Sequence, residues 1–126
     1  MFEISTELKE LASKVIASRK GLDGPASPEC RIAYLYSDQA KKSSGKKVFA
    51  DTEKLSDKVK ALVPYDFVIT FYQPNTAPLT PEKMEILMYH ELRHIGFAPD
   101  GKCSIVPHDV EDFSDILEDY GMKWVI

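Results

Sequence analysis

The seven residues Asp66 to Tyr72, DFVITFY, constrain the fold of this chain more than any others. A run of aliphatic, β-branched and aromatic side chains with no polar alternation cannot sit at a solvated sheet face, so it reads as a strand buried on both faces or nearly so. Pro64 stops whatever precedes it, and QPNTAPLT reads as the loop that follows. Next come Thr80, Pro81 and Glu82: an N-cap hydroxyl, a proline at the first helical position and an acidic first turn. A helix therefore starts at Pro81, and its apolar positions carry it to His94 or Ile95. Gly96 is the expected left-handed cap.

Before the central strand, Ser5 or Thr6 caps a first helix whose apolar positions Leu8, Leu11, Val15 and Ile16 recur at helical spacing up to about Lys20. GLDGPASP breaks it. Arg31 to Tyr36, RIAYLY, reads as a strand, and after the turn-forming SDQAKKSSGKK a second strand, VFADT, is expected to pair with it. Leu55, Val59 and Leu62 predict a short helix. After Gly96, APDGKCSIVP reads as a turn with one short strand, and a last helix is expected from His108 to about Tyr120, with Val110, Phe113, Ile116 and Leu117 on its apolar side.

The helix that begins at Pro81 carries the chemistry. It contains YHELRHIG, with His90 and His94 four residues apart and Glu91 directly after the first. On a helical wheel at about 100° per residue the two imidazoles fall within roughly 40° of each other, with Glu91 beside them. Met84, Leu87, Met88, Leu92 and Ile95 fill the neighbouring sector, while Glu82, Glu85, Tyr89 and Arg93 gather on the side expected to face solvent. Imidazoles at the border of an apolar face need hydrogen bonds or a metal ion. Zinc takes neutral imidazole nitrogens, and a catalytic site uses three protein ligands while leaving a fourth position to water. Two come from the helix. The chain has three histidines, and the remaining one, His108, is the expected third ligand, with Asp109, Glu111 and Asp112 as alternative oxygen donors. Glu91, beside the ligands without being needed as one, is the expected general base.

Composition narrows the setting. With 126 residues, 44% of them hydrophobic, the chain is expected to form one domain, residues 1–126, with a core of its own. A net charge of −4 with no long basic run lacks the electrostatic footprint of a nucleic-acid binder. No apolar stretch approaches membrane-spanning length, and MFEISTELKE lacks an apolar run of signal-peptide length. Neither nucleic acid nor membrane is expected as a partner. Cys30 and Cys103 form no CxxC pair, and their wide separation suits reduced thiols in a cytoplasmic protein, Cys103 being packed in a strand.

HELRH has the HExxH form of the zincin metallopeptidases. Together with RIAYLYSD, VFADTEKLSDK, YDFVITFY and PHDVEDF it resembles the family of putative phage metallopeptidases, over roughly Glu7 to Phe113. The resemblance implies an α+β, zincin-like domain with a small mixed sheet, the HExxH helix and a C-terminal helix. It implies His90 and His94 as zinc ligands, Glu91 as general base, and a phage or prophage origin in a host cytoplasm. It implies no particular substrate. The chain departs from longer zincin signatures: no histidine follows at Ala98 to Gly101, and HDVED stands where an ExxxD would. His108 then occupies the place of a glutamate ligand, and Asp112 is the carboxylate expected to orient a ligand histidine.

Two functions fit these readings. One is a zinc-dependent peptidase acting on a peptide or protein through water activated at the metal. The other is a non-catalytic protein-binding module of phage origin in which zinc is structural. Glu91 separates them, because a closed structural site has no use for a carboxylate that does not ligate.

Overall fold

The computed structural model describes residues 1–106. The expected C-terminal helix, with His108, Asp109, Glu111 and Asp112, lies outside the described residues. In chain order the elements are β1 (Phe2–Ile4), α1 (Thr6–Ser18), α2 (Asp23–Ala26), β2 (Ile32–Ser37), β3 (Lys41–Ser43), β4 (Lys46–Val48) and β5 (Ala50–Lys54). There follow α3 (Asp57–Lys60), β6 (Phe67–Tyr72), α4 (Gln73–Thr76), α5 (Pro81–Leu92), β7 (Ile95–Phe97) and β8 (Cys103–Ile105). The fold is mixed α+β with several small sheets.

The largest sheet has the order β1-β2-β6-β5, with β2 and β6 parallel and the outer pairs antiparallel. β6 is the FVITFY part of DFVITFY, and all six of its residues are buried, as a strand apolar on both faces requires. Its central place also corrects an expectation. VFADT, whose last three residues open β5, does not pair with RIAYLY. Ala50 pairs with Phe71 and Lys54 with Phe67, while β2 lies along the other edge of β6 with Ile32 beside Phe67. A strand buried on both faces is most stable with a hydrogen-bonded neighbour on each edge, and β6 takes both candidates. The expected turn between them holds a hairpin of its own, β3 and β4.

The helices follow their caps. Ser5 Oγ accepts from Leu8 N at 3.0 Å, and α1 buries Leu8, Ala12 and Val15 in the core beside Phe67, Ile69 and Phe71. It ends at Ser18 rather than Lys20. Thr80 Oγ1 accepts from Lys83 N at 3.2 Å, with Pro81 in the first turn of α5 as expected. QPNT, expected as loop, forms the single turn α4, and GLDGPASP contains α2.

α2 packs against β7 through Gly24. A Cβ there would lie 2.7 Å from the carbonyl oxygen of Ile95 and 2.8 Å from Gly96 Cα, both backbone atoms. Only a residue without a side chain allows this approach. Gly24→Ala is expected to destabilise the protein by roughly 1–3 kcal/mol, the usual cost of forced overpacking. Thermal unfolding of the two proteins measures it, and an unchanged melting temperature would show that β7 yields at no cost.

Candidate functional site

Leu87, Met88 and Leu92 of α5 face the core, and Ile86 is also buried, so the helix is enclosed on more than one side. The side expected to face solvent is partly covered as well. Glu85 pairs with Lys14 of α1 at 2.6 Å, and Tyr89 donates its hydroxyl to the Lys20 carbonyl at 3.1 Å. Arg93 is half-buried and stacks its guanidinium 5.7 Å from the Tyr89 ring centre. Both side chains are half-buried, with the Tyr89 hydroxyl bond at the surface.

The helix stops earlier than its apolar periodicity suggests. Leu92 is the last helical residue, and His94 N donates to Glu91 O at 3.1 Å in a tightened turn. Gly96 is therefore no left-handed cap. It lies in β7, where an added Cβ would meet Val106 Cγ2 at 2.6 Å, so the missing side chain makes room for Val106. His90 is on the last turn of α5 and His94 just past its end, yet the two remain neighbours. Their ring centres are 5.1 Å apart and their planes 86° to each other.

β7 and β8 hold His94 in place. The pairing of Ile95 with Ile105 brings the next residues, His94 and Val106, side by side, and Val106 N donates to His94 O. His94 Nδ1 lies 3.2 Å from Val106 O. A carbonyl can only accept, so this bond requires the proton on Nδ1 and places the lone pair of the ring on Nε2. That is the tautomer a histidine ligand uses when a backbone carbonyl orients it.

The donor set fits zinc as far as it goes. Two imidazole nitrogens bound to one tetrahedral ion at about 2.0–2.1 Å put their ring centres roughly 5 Å apart, which the observed 5.1 Å matches. The third ligand is not supplied by these elements. Among the described residues no three histidine, cysteine, aspartate or glutamate side chains are grouped to hold a metal ion. His108 and Asp112 lie outside them.

Glu91 is 4% exposed and is anchored to β5. Thr52 Oγ1 donates to Glu91 Oε1 at 2.8 Å and also lies 3.2 Å from the Glu91 carbonyl oxygen. Burial pushes the carboxyl up from its ordinary 4.5 to about 7, with the Thr52 bond opposing and the nearby Asp51 charge adding to the rise. Asp51 in turn accepts from the Tyr72 hydroxyl at 2.7 Å and pairs with Lys41 at 2.6 Å. Thr52 and Asp51 were not foreseen from the sequence, because they reach the site only once β5 lies on β6 rather than on β2.

The two cysteines also differ from expectation. Cys30, just before β2, and Cys103 of β8 form a disulfide across 73 residues, with Cα atoms 5.7 Å apart. Wide separation along the chain says nothing about separation in space, and the fold brings β8 over the segment that follows α2. Among the described residues no helix is long and apolar enough to cross a membrane.

Compared with known proteins, the chain matches one family model, described as putative phage metallopeptidase, over residues 1–125. No curated protein and no solved structure matches it.

Proposed function

The chain belongs to the family of putative phage metallopeptidases, and from that premise we propose that it is a zinc-dependent, zincin-like peptidase acting on a peptide or protein. One observation carries the reading: His90 and His94, with ring centres 5.1 Å apart, stand as two ligands of one ion would. The Nδ1 bond of His94 to Val106 O supports it by leaving Nε2 as the donor nitrogen.

His108 is the proposed third ligand. The described chain ends at Val106, hydrogen-bonded to His94. His108 follows Val106 by two positions in the sequence, and that nearness along the chain supports the proposal. Asp112 is proposed to orient one of the ligand rings.

Zinc in such a site supplies a Lewis acid that polarises a carbonyl and acidifies water. Glu91 supplies the proton transfer. Its Oε1 is occupied by the Thr52 hydroxyl, so Oε2 is the atom that takes the proton from the attacking water and returns it to the departing amine. Thr52 fixes the carboxylate. Synthesis in a host cytoplasm goes with a phage-encoded chain, and neither nucleic acid nor membrane is proposed as a partner.

Metal analysis tests this. Protein purified without chelator is expected to carry about one zinc per chain, His94→Ala to carry almost none, and His108→Ala to bind zinc much more weakly while staying folded. Equal metal in wild type and His94→Ala, or none in either, overturns the zinc reading. An unchanged affinity in His108→Ala alone passes the third-ligand role to Asp109, Glu111 or Asp112.

A further inference from the structure

Val106, whose carbonyl orients His94, lies just past the end of a small two-stranded hairpin. β7 and β8 are three residues each and, among the described residues, pair with one another as a two-stranded sheet. A two-stranded hairpin is marginal in water without further packing. β7 has that packing, with Ile95 in the core and Gly24 of α2 against its backbone. β8 is the outer strand. Its three residues are only half-buried, and Val106 beyond them is 37% exposed. What ties β8 covalently to the body is Cys103, bonded to Cys30, which is itself 3% exposed and hydrogen-bonded through its amide to Ser27 O.

From Cys103 the path to the metal ligand is short: three residues along the strand to Val106, then one hydrogen bond to His94 Nδ1. Taking the zinc reading as given, we propose that the Cys30–Cys103 disulfide is a redox-controlled brace of the metal site. When it is closed, Val106 O holds the His94 tautomer that presents Nε2. When it is open, β8 loses that covalent tie to the body of the protein, and the hold on His94 slackens.

The chemistry is a two-electron thiol–disulfide exchange. The two protein thiols are oxidised, each giving up a proton, as one molecule of a disulfide oxidant such as oxidised glutathione is reduced to two thiols. Thiol pools in a cytoplasm drive the reverse direction, and oxidising compartments or the medium drive closure. A peptidase built this way is made with a weak metal site and completes that site after leaving the reducing cytoplasm in which it was synthesised.

Two measurements on the full chain test the brace. One is zinc affinity by competition with a chromogenic chelator. The other is the His94 ring tautomer in metal-free protein by nitrogen NMR, which needs neither zinc nor activity. Reduction with a phosphine, or the double change Cys30→Ser and Cys103→Ser, is expected to weaken zinc binding roughly 10- to 100-fold, the usual cost of losing a ligand's orienting partner. The same treatment is expected to shift the His94 proton away from Nδ1, and oxidised glutathione should reverse both changes in the reduced wild type. Equal affinity and equal tautomer in the oxidised and reduced forms overturn the brace.

Should the reduced protein unfold, Gly96→Ala gives the second test with the disulfide intact. Its new Cβ displaces Val106, whose Cγ2 lies 2.6 Å away, so the same tautomer shift and weakened zinc binding are expected. Unchanged values there overturn the link from Val106 to His94. A tautomer that follows the redox state in a protein that never binds zinc supports the brace and overturns the zinc reading.

Discussion

Glu91→Gln is expected to keep its zinc and to lose peptide hydrolysis by a factor on the order of 10² to 10⁴, the usual worth of a general base. The substitution is close to isosteric. Gln offers an oxygen to the Thr52 hydroxyl in place of Oε1, so the link from α5 to β5 survives, and it cannot take a proton from water. His90 and His94 do not depend on the carboxylate for their placement: one stands on the last helical turn, and the other is held by Val106. Metal retention and activity should therefore separate. The measurement is cleavage of a diverse peptide library by both proteins, with zinc content determined in each. Equal activity of the two would remove Glu91 from the mechanism. Zinc-loaded proteins that both fail on every peptide would favour the binding module, in which Glu91 only fastens α5 to β5.

The parts of this architecture that sequence foretold are those encoded locally. Ser5 and Thr80 cap their helices with their own hydroxyls, and Pro81 fits the first turn because its missing N–H is not needed there. DFVITFY has one stable use, a strand covered on both faces. Partner choice is different in kind. Whether VFADT lies against RIAYLY or against DFVITFY depends on which edge of β6 is open, a property of the assembled sheet. The edge strand Phe2–Ile4 shows the same limit: all three of its residues are exposed, and three residues are too short a stretch to mark a strand by pattern.

The candidate site divides along the same line. Four-residue spacing brings His90 and His94 together even though the helix ends between them, because the tightened turn from Glu91 to His94 keeps the chain coiled long enough. Their orientation was not readable. Val106 O, Thr52 Oγ1 and the Cys30–Cys103 bond all come from segments far along the chain, and none carries a local motif. The wheel places Glu91 beside the imidazoles, but the burial that alters its acidity comes from β5.

That burial predicts a pH effect on stability that needs no substrate. In metal-free protein Glu91 is pushed from 4.5 to about 7, so between these values the native state keeps a proton that the unfolded chain has released. Stability from this group is complete below about 4.5 and is lost as pH rises through about 7, a total of about 3 kcal/mol by linkage. Glu91→Gln has no proton to lose at this position. The difference in unfolding free energy between Glu91→Gln and wild type should therefore be flat below about pH 4.5. It should then move in favour of the variant by about 3 kcal/mol across the window and flatten again above neutrality. Urea unfolding in the presence of a chelator, at half-unit steps of pH, measures that difference and cancels the titration of shared groups remote from Glu91. Asp66, whose carboxyl is held low by Arg31, contributes stability that disappears as pH falls in the acid range, outside this window and equally in both proteins. A difference that stays constant from acid to alkaline pH would mean that Glu91 is ionised in the folded protein at its ordinary pH, with water reaching it past Thr52. Such a carboxylate would be a weaker base toward water than a buried one, and the Thr52 bond, rather than burial, would then be the main influence on its charge.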